Sequence, residues 1–256
     1  MQLARHLVEK PWGRVDLPPE FGDTHGARIG EIWFAPNGPL LIKYIFTGER
    51  LSVQVHPSDA EARARGLPHG KNECWYIVDA DPGATIGMGV RTGVSSEALR
   101  AAALDGSIVD LLEWRTVARG DFLYVPAGTV HAIGAGITLI EVQQPADITY
   151  RLFDYGRPRD LHLDDGIAVA RREPFPDAQH RRGGEGDALL IESPAFTVRR
   201  TGAAIDMAGP RDRWVVPLAG HARSGRDCAV PGNCLFVAAG EVLVLDQGCS
   251  ALVATV

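Results

Sequence analysis

The sequence of 256 residues is poor in cysteine, in clustered positive charge and in long apolar runs. Its four cysteines form no CxxC pattern, which excludes a disulfide scaffold and predicts reduced thiols. The net charge of −6 and the lack of a Lys/Arg cluster argue against a nucleic-acid partner. No apolar run approaches the ~20 residues of a membrane helix, and the first residues form no apolar signal segment. We therefore expect a cytoplasmic protein without a membrane partner.

The composition is that of an ordinary globular protein, with 45% apolar and 23% charged residues, and it is long enough to bury a full core. Short apolar runs separated by Gly and Pro turns predict a mainly β fold. Strands are predicted at residues 29–34, 40–46, 122–125, 137–144 and 148–153. Serine caps predict short helices at residues 58–65, 95–104 and 107–114.

One predicted strand carries a first group of polar side chains. Ser52, Gln54 and His56 alternate with apolar residues, so they share one face of the strand. An amide oxygen and an imidazole one pleat apart can converge on a single point. The pattern therefore predicts a chelating pair.

A second group follows from residues 120–131 (GDFLYVPAGTVH), where a turn, a short strand and a second turn place His131 at a stiff corner. Between the two groups, a strand beginning near Lys71 places Glu73 as a carboxylate ligand. Gln54, His56, Glu73 and His131 then offer two nitrogens and two oxygens, which suits a divalent transition metal with open positions for water or substrate. This ligand set does not by itself select zinc over iron, manganese or cobalt.

The spacing of these residues resembles the two cupin motifs. In the first, Gly48 is followed at a fixed distance by the ligand candidates Gln54 and His56. In the second, Gly120 is followed by Pro126 of the turn and then by the ligand candidate His131. The chain departs from those motifs in three ways. Gln54 replaces a histidine, residues 57–70 are inserted before Glu73, and Ala135 stands where asparagine is common.

Four longer strings resemble the type I mannose-6-phosphate isomerases, and the likeness runs from about residue 7 to residue 170. They are Gln-Val-His-Pro at 54–57, Lys-Asn-Glu-Cys-Trp-Tyr at 71–76, Val-Pro-Ala-Gly-Thr-Val-His-Ala-Ile at 125–133, and Thr-Tyr-Arg at 149–151 followed by Asp154 and Arg157. The resemblance implies a cupin jelly-roll barrel over residues 1–172 that holds the metal site and the helical insertions. Residues 173–187, rich in Arg, Glu, Pro and Gly, are predicted to be a linker. Residues 188–256 are predicted to form a smaller β-barrel unit without metal ligands.

The resemblance also implies a function. We expect one Zn²⁺ per chain, with other divalent metals possible, and interconversion of mannose 6-phosphate and fructose 6-phosphate through an enediol. Arg151 aligns with an arginine that is regarded as catalytic in this family, and Lys71 matches a position in the family's substrate pocket. Glu141, Lys71 and a metal-bound water are alternative bases, of which we select Glu141. Lys71 can move protons only if burial lowers its pKa.

Several of these residues also have structural interpretations. Arg151 could form an ordinary salt bridge to Asp147 or Asp154, since surface ion pairs are common. Trp12 and Ser52, weaker candidates for substrate contact, could instead pack or satisfy a neighbour. The inserted helix at residues 58–65 is a candidate lid.

Other functions are compatible with parts of the pattern. A sister isomerase would act on another sugar phosphate, and a sugar-binding cupin would keep the barrel without catalysis. A non-haem iron oxygenase also uses two histidines and one carboxylate, but it needs neither a fourth amide ligand nor the Tyr-Arg string. For the sister isomerase and for the sugar-binding cupin, the expected partner is a small sugar or sugar phosphate. The oligomeric state is not predicted.

Overall fold

The computed structural model describes residues 1–34, 38–184, 186–202 and 206–256. Glu185, in the predicted linker, and residues 203–205, in the predicted C-terminal unit, lie outside the described residues. The strands within residues 1–184 are β1 (Arg5–Arg14), β2 (Ile29–Phe34), β3 (Leu41–Thr47), β4 (Val53–Val55), β5 (Glu73–Ala80), β6 (Thr85–Val90), β7 (Leu112–Thr116), β8 (Phe122–Val125), β9 (His131–Ile133), β10 (Ile137–Gln143), β11 (Tyr150–Phe153) and β12 (His180–Arg181).

The described part of the chain after residue 185 continues with short strands. These are β13 (Ala188–Glu192), β14 (Thr197–Thr201), β15 (Asp206–Ala208), β16 (Arg213–Ala219), β17 (Ala222–Ser224), β18 (Asp227–Ala229), β19 (Leu235–Val237), β20 (Val242–Leu245) and β21 (Ser250–Thr255). The α-helices of the described ranges are α1 (Asp59–Ala64), α2 (Ser96–Asp105), α3 (Ile108–Leu111) and α4 (Leu163–Val169). None of these helices has the length and apolar character needed to cross a membrane.

The first half of the chain forms two antiparallel sheets that pack as a jelly-roll barrel. The larger sheet has the order β1-β2-β3-β10-β5-β8-β12, and the smaller one has the order β11-β4-β9-β6-β7. β3 and β10 are buried along their whole length and rich in β-branched and aromatic residues, which explains their central position. The predicted mainly β, cupin-type fold is confirmed.

Apolar residues on the inner faces of the two sheets fill the barrel. Trp75 and Ile77 of β5 pack there against Ile86 and Met88 of β6. Val53 and Val55, on the opposite face of the smaller sheet, pack with residues of α2, α3 and α4. The three helices therefore cover the outside of that sheet, and its polar inner positions face the barrel interior.

The second half forms two more antiparallel sheets, ordered β13-β14-β21-β16-β19 and β15-β20-β17-β18. Its core is continuous with that of the first half, because Phe196 and Trp214 belong to the same buried cluster as Phe21 and Tyr44. Within the segment predicted as a linker, β12 pairs with β8 and extends the larger barrel sheet. The division of the chain into domains stays a prediction.

The helices show where local sequence signals were sufficient and where they were not. Ser58 caps α1 through a capping box with Glu61, and Ser95 caps α2, as predicted. The helix predicted over residues 107–114 is wrong in its second half, because α3 ends at Leu111 and β7 begins at Leu112. Pairing of β7 with β6 satisfies the backbone there and overrides the local helical pattern.

Candidate metal centre and cavity

Three buried side chains from different strands converge inside the barrel. His56 follows β4, Glu73 begins β5 and His131 begins β9. His56 Nε2 lies 3.5 Å from Glu73 Oε2, and His131 Nε2 lies 3.4 Å from Glu73 Oε1. In the described residues this is the one group of three or more His, Cys, Asp or Glu side chains whose ligand atoms lie close enough to share a metal ion.

Hydrogen bonds behind the two imidazoles set their tautomers. His56 Nδ1 lies 2.8 Å from the carbonyl oxygen of Ile148, and His131 Nδ1 lies 2.8 Å from that of Thr129. A carbonyl oxygen only accepts, so each Nδ1 donates its proton and each neutral ring presents the Nε2 lone pair to the cluster. This outer-shell arrangement is typical of metal-ligating histidines.

Two atoms of the cluster have no hydrogen-bond partner among the described residues. They are His56 Nε2 and Glu73 Oε1, both fully buried, whereas Glu73 Oε2 has Lys71 Nζ as an ion-pair partner at 3.0 Å. Buried polar atoms without partners are costly, so they indicate a missing partner of a specific kind. Two imidazole lone pairs and one carboxylate fit a divalent transition metal.

Gln54 lies beside this cluster, as the sequence predicts. It is the cross-strand partner of His131, and its Nε2 lies 3.2 Å from His131 Nε2. Its Oε1 accepts a hydrogen bond from Ser52 Oγ at 3.0 Å. Rotation of the amide by 180° exchanges the two atoms and turns the oxygen toward the cluster, which is the orientation that a metal ligand requires.

Burial and Lys71 together set the charge state of the three residues. Burial, reinforced by the positive charge of Lys71, lowers the pKa of His56 to about 3, and burial lowers the pKa of His131. Burial by itself raises the pKa of Glu73, but Lys71 Nζ lies 3.0 Å from Oε2 and holds that pKa well below its usual range. At neutral pH the cluster therefore contains two neutral rings and one carboxylate.

The charge of Lys71 decides whether it meets the condition stated for a proton-transfer role. Burial alone lowers the pKa of Lys71, but the charges of Glu141 and Glu73 outweigh it, so the pKa is raised. That condition, a pKa lowered by burial, is therefore not met. Lys71 is buried with two carboxylates as a permanent cation and is a poor general base.

Glu141 is buried in the same cavity, between Lys43 and Trp75. Both are its cross-strand neighbours, and Lys43 Nζ lies 3.1 Å from Oε1 while Trp75 Nε1 donates to Oε2 at 3.1 Å. Lys71 Nζ lies 3.9 Å from Oε1. Burial raises the pKa of Glu141, although both lysines oppose the rise. A carboxylate with a raised pKa is a stronger base than one in water.

Arg151 on β11 is the cross-strand partner of Gln54 on β4, and Gln54 is in turn the cross-strand partner of His131 on β9. Its Nε donates to the carbonyl oxygen of Asp160. Among the described residues no carboxylate lies within ion-pair distance of Arg151. The alternative of a salt bridge to Asp154 is wrong, because Asp154 pairs with Arg157 and Arg159 instead.

A cavity of about 440 Å³ is lined by Gln54, Lys71, Glu141 and Arg151. His56, Glu73 and His131 are not among its lining residues and reach it through their contacts with Gln54 and Lys71. Trp12 and Ser52 line it, although both are buried and Trp12 also packs in the barrel core. Six further lining residues with charged or imidazole side chains were not among the sequence candidates for the site: Lys10, Glu31, Lys43, Asp147, Arg159 and His162. Lys10, Glu31 and Lys43 lie on strands β1, β2 and β3, and the other three lie in the loops before and after β11. No local sequence motif indicates that these positions face the cavity. No residue of α1, all of which are described, lines this cavity.

The assignment of ligand and catalytic roles to these residues stays a prediction. Their geometry nevertheless defines a class of protein, a cupin barrel with a site for a divalent metal and a polar cavity beside it. A comparison with models of known protein families gives no match.

Four curated relatives match the sequence. The chain is 41% identical over 242 residues to the mannose-6-phosphate isomerase of Streptococcus mutans serotype c, covering 77% of this chain and 76% of the relative. It belongs to the mannose-6-phosphate isomerase family. A mannose-6-phosphate isomerase of Bacillus subtilis is 43% identical over 164 residues, 61% of this chain and 49% of that relative.

Solved structures of the same family share the whole fold. The crystal structure of the mannose 6-phosphate isomerase from Bacillus subtilis matches with a TM-score of 0.82 at 25% identity, over 100% of this chain and 99% of that one. A zinc-bound mannose 6-phosphate isomerase matches with a TM-score of 0.74 at 14% identity, over 99% of this chain and 98% of that one. At that identity the second match supports the fold alone.

Proposed function

We propose that the chain is a metal-dependent aldose-ketose isomerase that interconverts mannose 6-phosphate and fructose 6-phosphate. The observation that supports this most strongly is the cluster of His56, Glu73 and His131. Its direct neighbours Gln54 and Lys71 line a cavity that Glu141 and Arg151 also line. Membership of the mannose-6-phosphate isomerase family supports the choice of substrate. We also infer a cytoplasmic location, since all four cysteines are free.

The metal is assigned to the buried cluster. His56, Glu73 and His131 would hold Zn²⁺ or another divalent ion, with Gln54 as a fourth ligand after rotation of its amide. When bound, this ion would supply Lewis acidity that stabilises negative charge on a sugar oxygen. The donor set admits metals other than zinc.

The proton transfer is assigned to Glu141. Isomerisation removes a proton from C2 of the aldose and returns it at C1, so it needs a base that reaches both carbons. Glu141 lines the cavity, and its pKa is raised by burial. Lys71 does not fit this role because its pKa is raised and its charge is tied to Glu73 and Glu141.

Lys71 and Arg151 are assigned as fixed cations. Lys71 keeps Glu73 ionised for metal binding through its 3.0 Å contact. Arg151 has no carboxylate partner among the described residues, so its charge is available to an anionic group in the cavity. An enediolate oxygen and a phosphate oxygen are both suitable, because guanidinium groups bind oxyanions well.

The proposal is tested by assaying fructose 6-phosphate formation from mannose 6-phosphate with purified protein. The protein is measured as prepared, after chelation, and after zinc is added back, with other aldose 6-phosphates run in parallel. We expect activity to vanish with chelation and to return with zinc. Absence of turnover with mannose 6-phosphate in a zinc-loaded sample, with turnover of another sugar phosphate, would contradict the assigned substrate.

Two variants separate metal binding from catalysis in the same assay. We expect Glu73→Ala to lose bound metal and turnover together, and Arg151→Ala to retain metal and lose at least about a hundredfold in turnover, the scale of removing one charge-stabilising group. Arg226→Ala, an exposed arginine in the second half, is the matched control and should change neither quantity. Full metal content and turnover in Glu73→Ala would overturn the metal site.

A further inference from the structure

His162 lies at the Arg151 end of the cavity, in the loop that leads into α4. It lines the cavity together with Arg151 and is partly exposed. Two hydrogen bonds join the two residues, one between their backbones and one from the Arg151 backbone to the His162 ring. His162 N–H donates to the Arg151 carbonyl at 2.8 Å, and Arg151 N–H donates to His162 Nδ1 at 3.3 Å.

This second hydrogen bond determines which imidazole nitrogen carries the proton. Nδ1 accepts from a backbone N–H, so it holds the lone pair, and in the neutral ring the proton is on Nε2. Burial and the nearby charge of Arg151 lower the pKa of His162, which keeps the ring neutral at pH 7. No described residue accepts a hydrogen bond from Nε2, so this donor is free for a ligand in the cavity.

The charged groups that line the cavity favour an anion at this end. The carboxylates of Asp160 and Asp165, which also act on His162, are exposed and lie outside the lining. The Asp160–His162 segment also binds Arg151 through the Asp160 carbonyl, which accepts from Arg151 Nε at 3.0 Å. Arg159 lines the cavity too, but Asp154 binds its guanidinium at 2.6 and 2.7 Å. Asp147 is the one acidic residue in this part of the lining, and it is exposed. Arg151 and the His162 donor are therefore the groups best placed to bind an oxyanion.

We propose that His162 is a specificity-determining residue, which donates from Nε2 to the phosphate group of the substrate while Arg151 holds its ring in place through Nδ1. This inference rests on the proposed function for the identity of the substrate. It assigns to the loop before α4 the task of distinguishing a phosphorylated sugar from a free sugar.

Two substitutions test the two nitrogens separately. Asn places an amide near the position of Nδ1, so His162→Asn keeps an acceptor for Arg151 and removes the donor. Gln reaches the position of Nε2, so His162→Gln keeps a donor toward the cavity and removes the acceptor. The zinc-loaded full chain is titrated with inorganic phosphate by calorimetry, and KM and kcat are measured with mannose 6-phosphate and with mannose.

We expect His162→Asn to weaken phosphate binding and to raise KM for mannose 6-phosphate, both by roughly tenfold, the usual effect of losing one hydrogen bond to a charged group. Its kcat, and kcat/KM for mannose, should stay within about threefold of wild type, and His162→Gln should bind phosphate nearly as wild type does. Both variants are first compared with wild type by thermal unfolding.

The inference is overturned by equal losses in the two variants, by a loss confined to His162→Gln, or by an equal loss of activity toward mannose. It is also overturned if the wild-type chain does not bind inorganic phosphate. If wild type binds phosphate but does not turn over mannose 6-phosphate, the proposed function fails. The titrations of the two variants then still decide the role of His162.

Discussion

At the scale of single residues, two backbone carbonyls shape the candidate metal centre as much as its proposed ligands do. The carbonyls of Ile148 and Thr129 hold the Nδ1 protons of His56 and His131 and so direct both Nε2 lone pairs to Glu73. Because both rings are buried and neutral, the site also makes stability depend on pH.

The pH dependence of stability has a definite sign in the metal-free protein. The pKa of His56 is about 3 in the folded chain and about 6.5 in the unfolded chain, so between these values only the unfolded chain binds the proton. Stability from this residue is present above pH 6.5 and is lost as pH falls toward 3. For this one residue we expect the free energy of unfolding to fall by about 2 kcal/mol between pH 7 and pH 5, as measured by urea titration, with the slope approaching about 1.4 kcal/mol per pH unit below pH 6.

A neutral substitution provides the control for that prediction. His56→Gln cannot take up a proton, so it should flatten the slope between pH 7 and 5, whereas His221→Gln, at an exposed histidine of the second half, should leave the slope unchanged. An unaltered slope in His56→Gln would show that other groups dominate the titration. His131, whose pKa is also lowered, contributes with the same sign.

At the scale of elements, the inserted segment supports the site from behind. Asp59 of α1 accepts from Gln144 Nε2 at 3.0 Å, and Gln144 Oε1 accepts from Asn72 Nδ2 at 2.7 Å. Asn72 Oδ1 then accepts from Ala127 N–H at 3.0 Å, in the turn before His131. This polar chain ties α1, the start of β5 and the β8–β9 turn together, so the insertion acts as a brace and not as a wall of the cavity.

The brace is tested with Asn72→Ala. The substitution leaves the Ala127 N–H and part of Gln144 without partners, so we expect a loss of about 1–3 kcal/mol in unfolding free energy. Because Asn72 adjoins Glu73, we also expect zinc affinity to fall by roughly tenfold, the lower end of losses seen for supporting residues of metal sites. Urea unfolding of the metal-free chain and a competitive zinc titration measure the two effects.

The same substitution in the second half is the matched control. Asn233 is buried and accepts from Gln2 Nε2 at 2.7 Å, far from the cluster along the chain. Asn233→Ala should lower stability without changing zinc affinity. If Asn72→Ala also leaves zinc affinity unchanged, the brace stabilises the fold alone.

At the scale of the whole molecule, the two halves share one apolar cluster. Phe21, Tyr44 and Phe46 of the first half belong to a core that includes Phe196 and Trp214 of the second. A buried hydrogen bond crosses the same boundary, since Gly232 N–H donates to Tyr44 Oη at 3.2 Å. Separation of the halves would expose this apolar surface to water, so their unfolding should be coupled.

Hydrogen exchange tests this coupling. β10 and β21 are inner strands of the two halves, so under conditions where exchange reports opening free energies we expect their slowest amides to give the same value within about 1 kcal/mol. Peptides covering each strand are followed by mass spectrometry. An opening free energy for β21 that is several kcal/mol lower than that for β10 would show that the second half unfolds alone.

A large part of the fold and of the candidate site follows from local pattern. Short apolar runs predicted β2 and β8 to the residue, serine caps predicted the starts of α1 and α2, and the turns around residues 120–131 placed His131 at a strand start. The helix α4 was missed because its sequence, Leu163–Val169, has an internal glycine and its N-cap makes no side-chain hydrogen bond.

The sequence by itself determined the strand pattern, the metal-ligand candidates and the family, because alternation, turn residues and motif spacing are local properties of the chain. Only the tertiary structure decided that Lys43 lies beside Glu141 and that His162 returns to Arg151. It also decided that Lys71 is a cation with a raised pKa and that β7 replaces half of a predicted helix. These outcomes depend on cross-strand register, burial and charges from distant segments, which set pKa values and pairings through space and leave no signal at a fixed spacing.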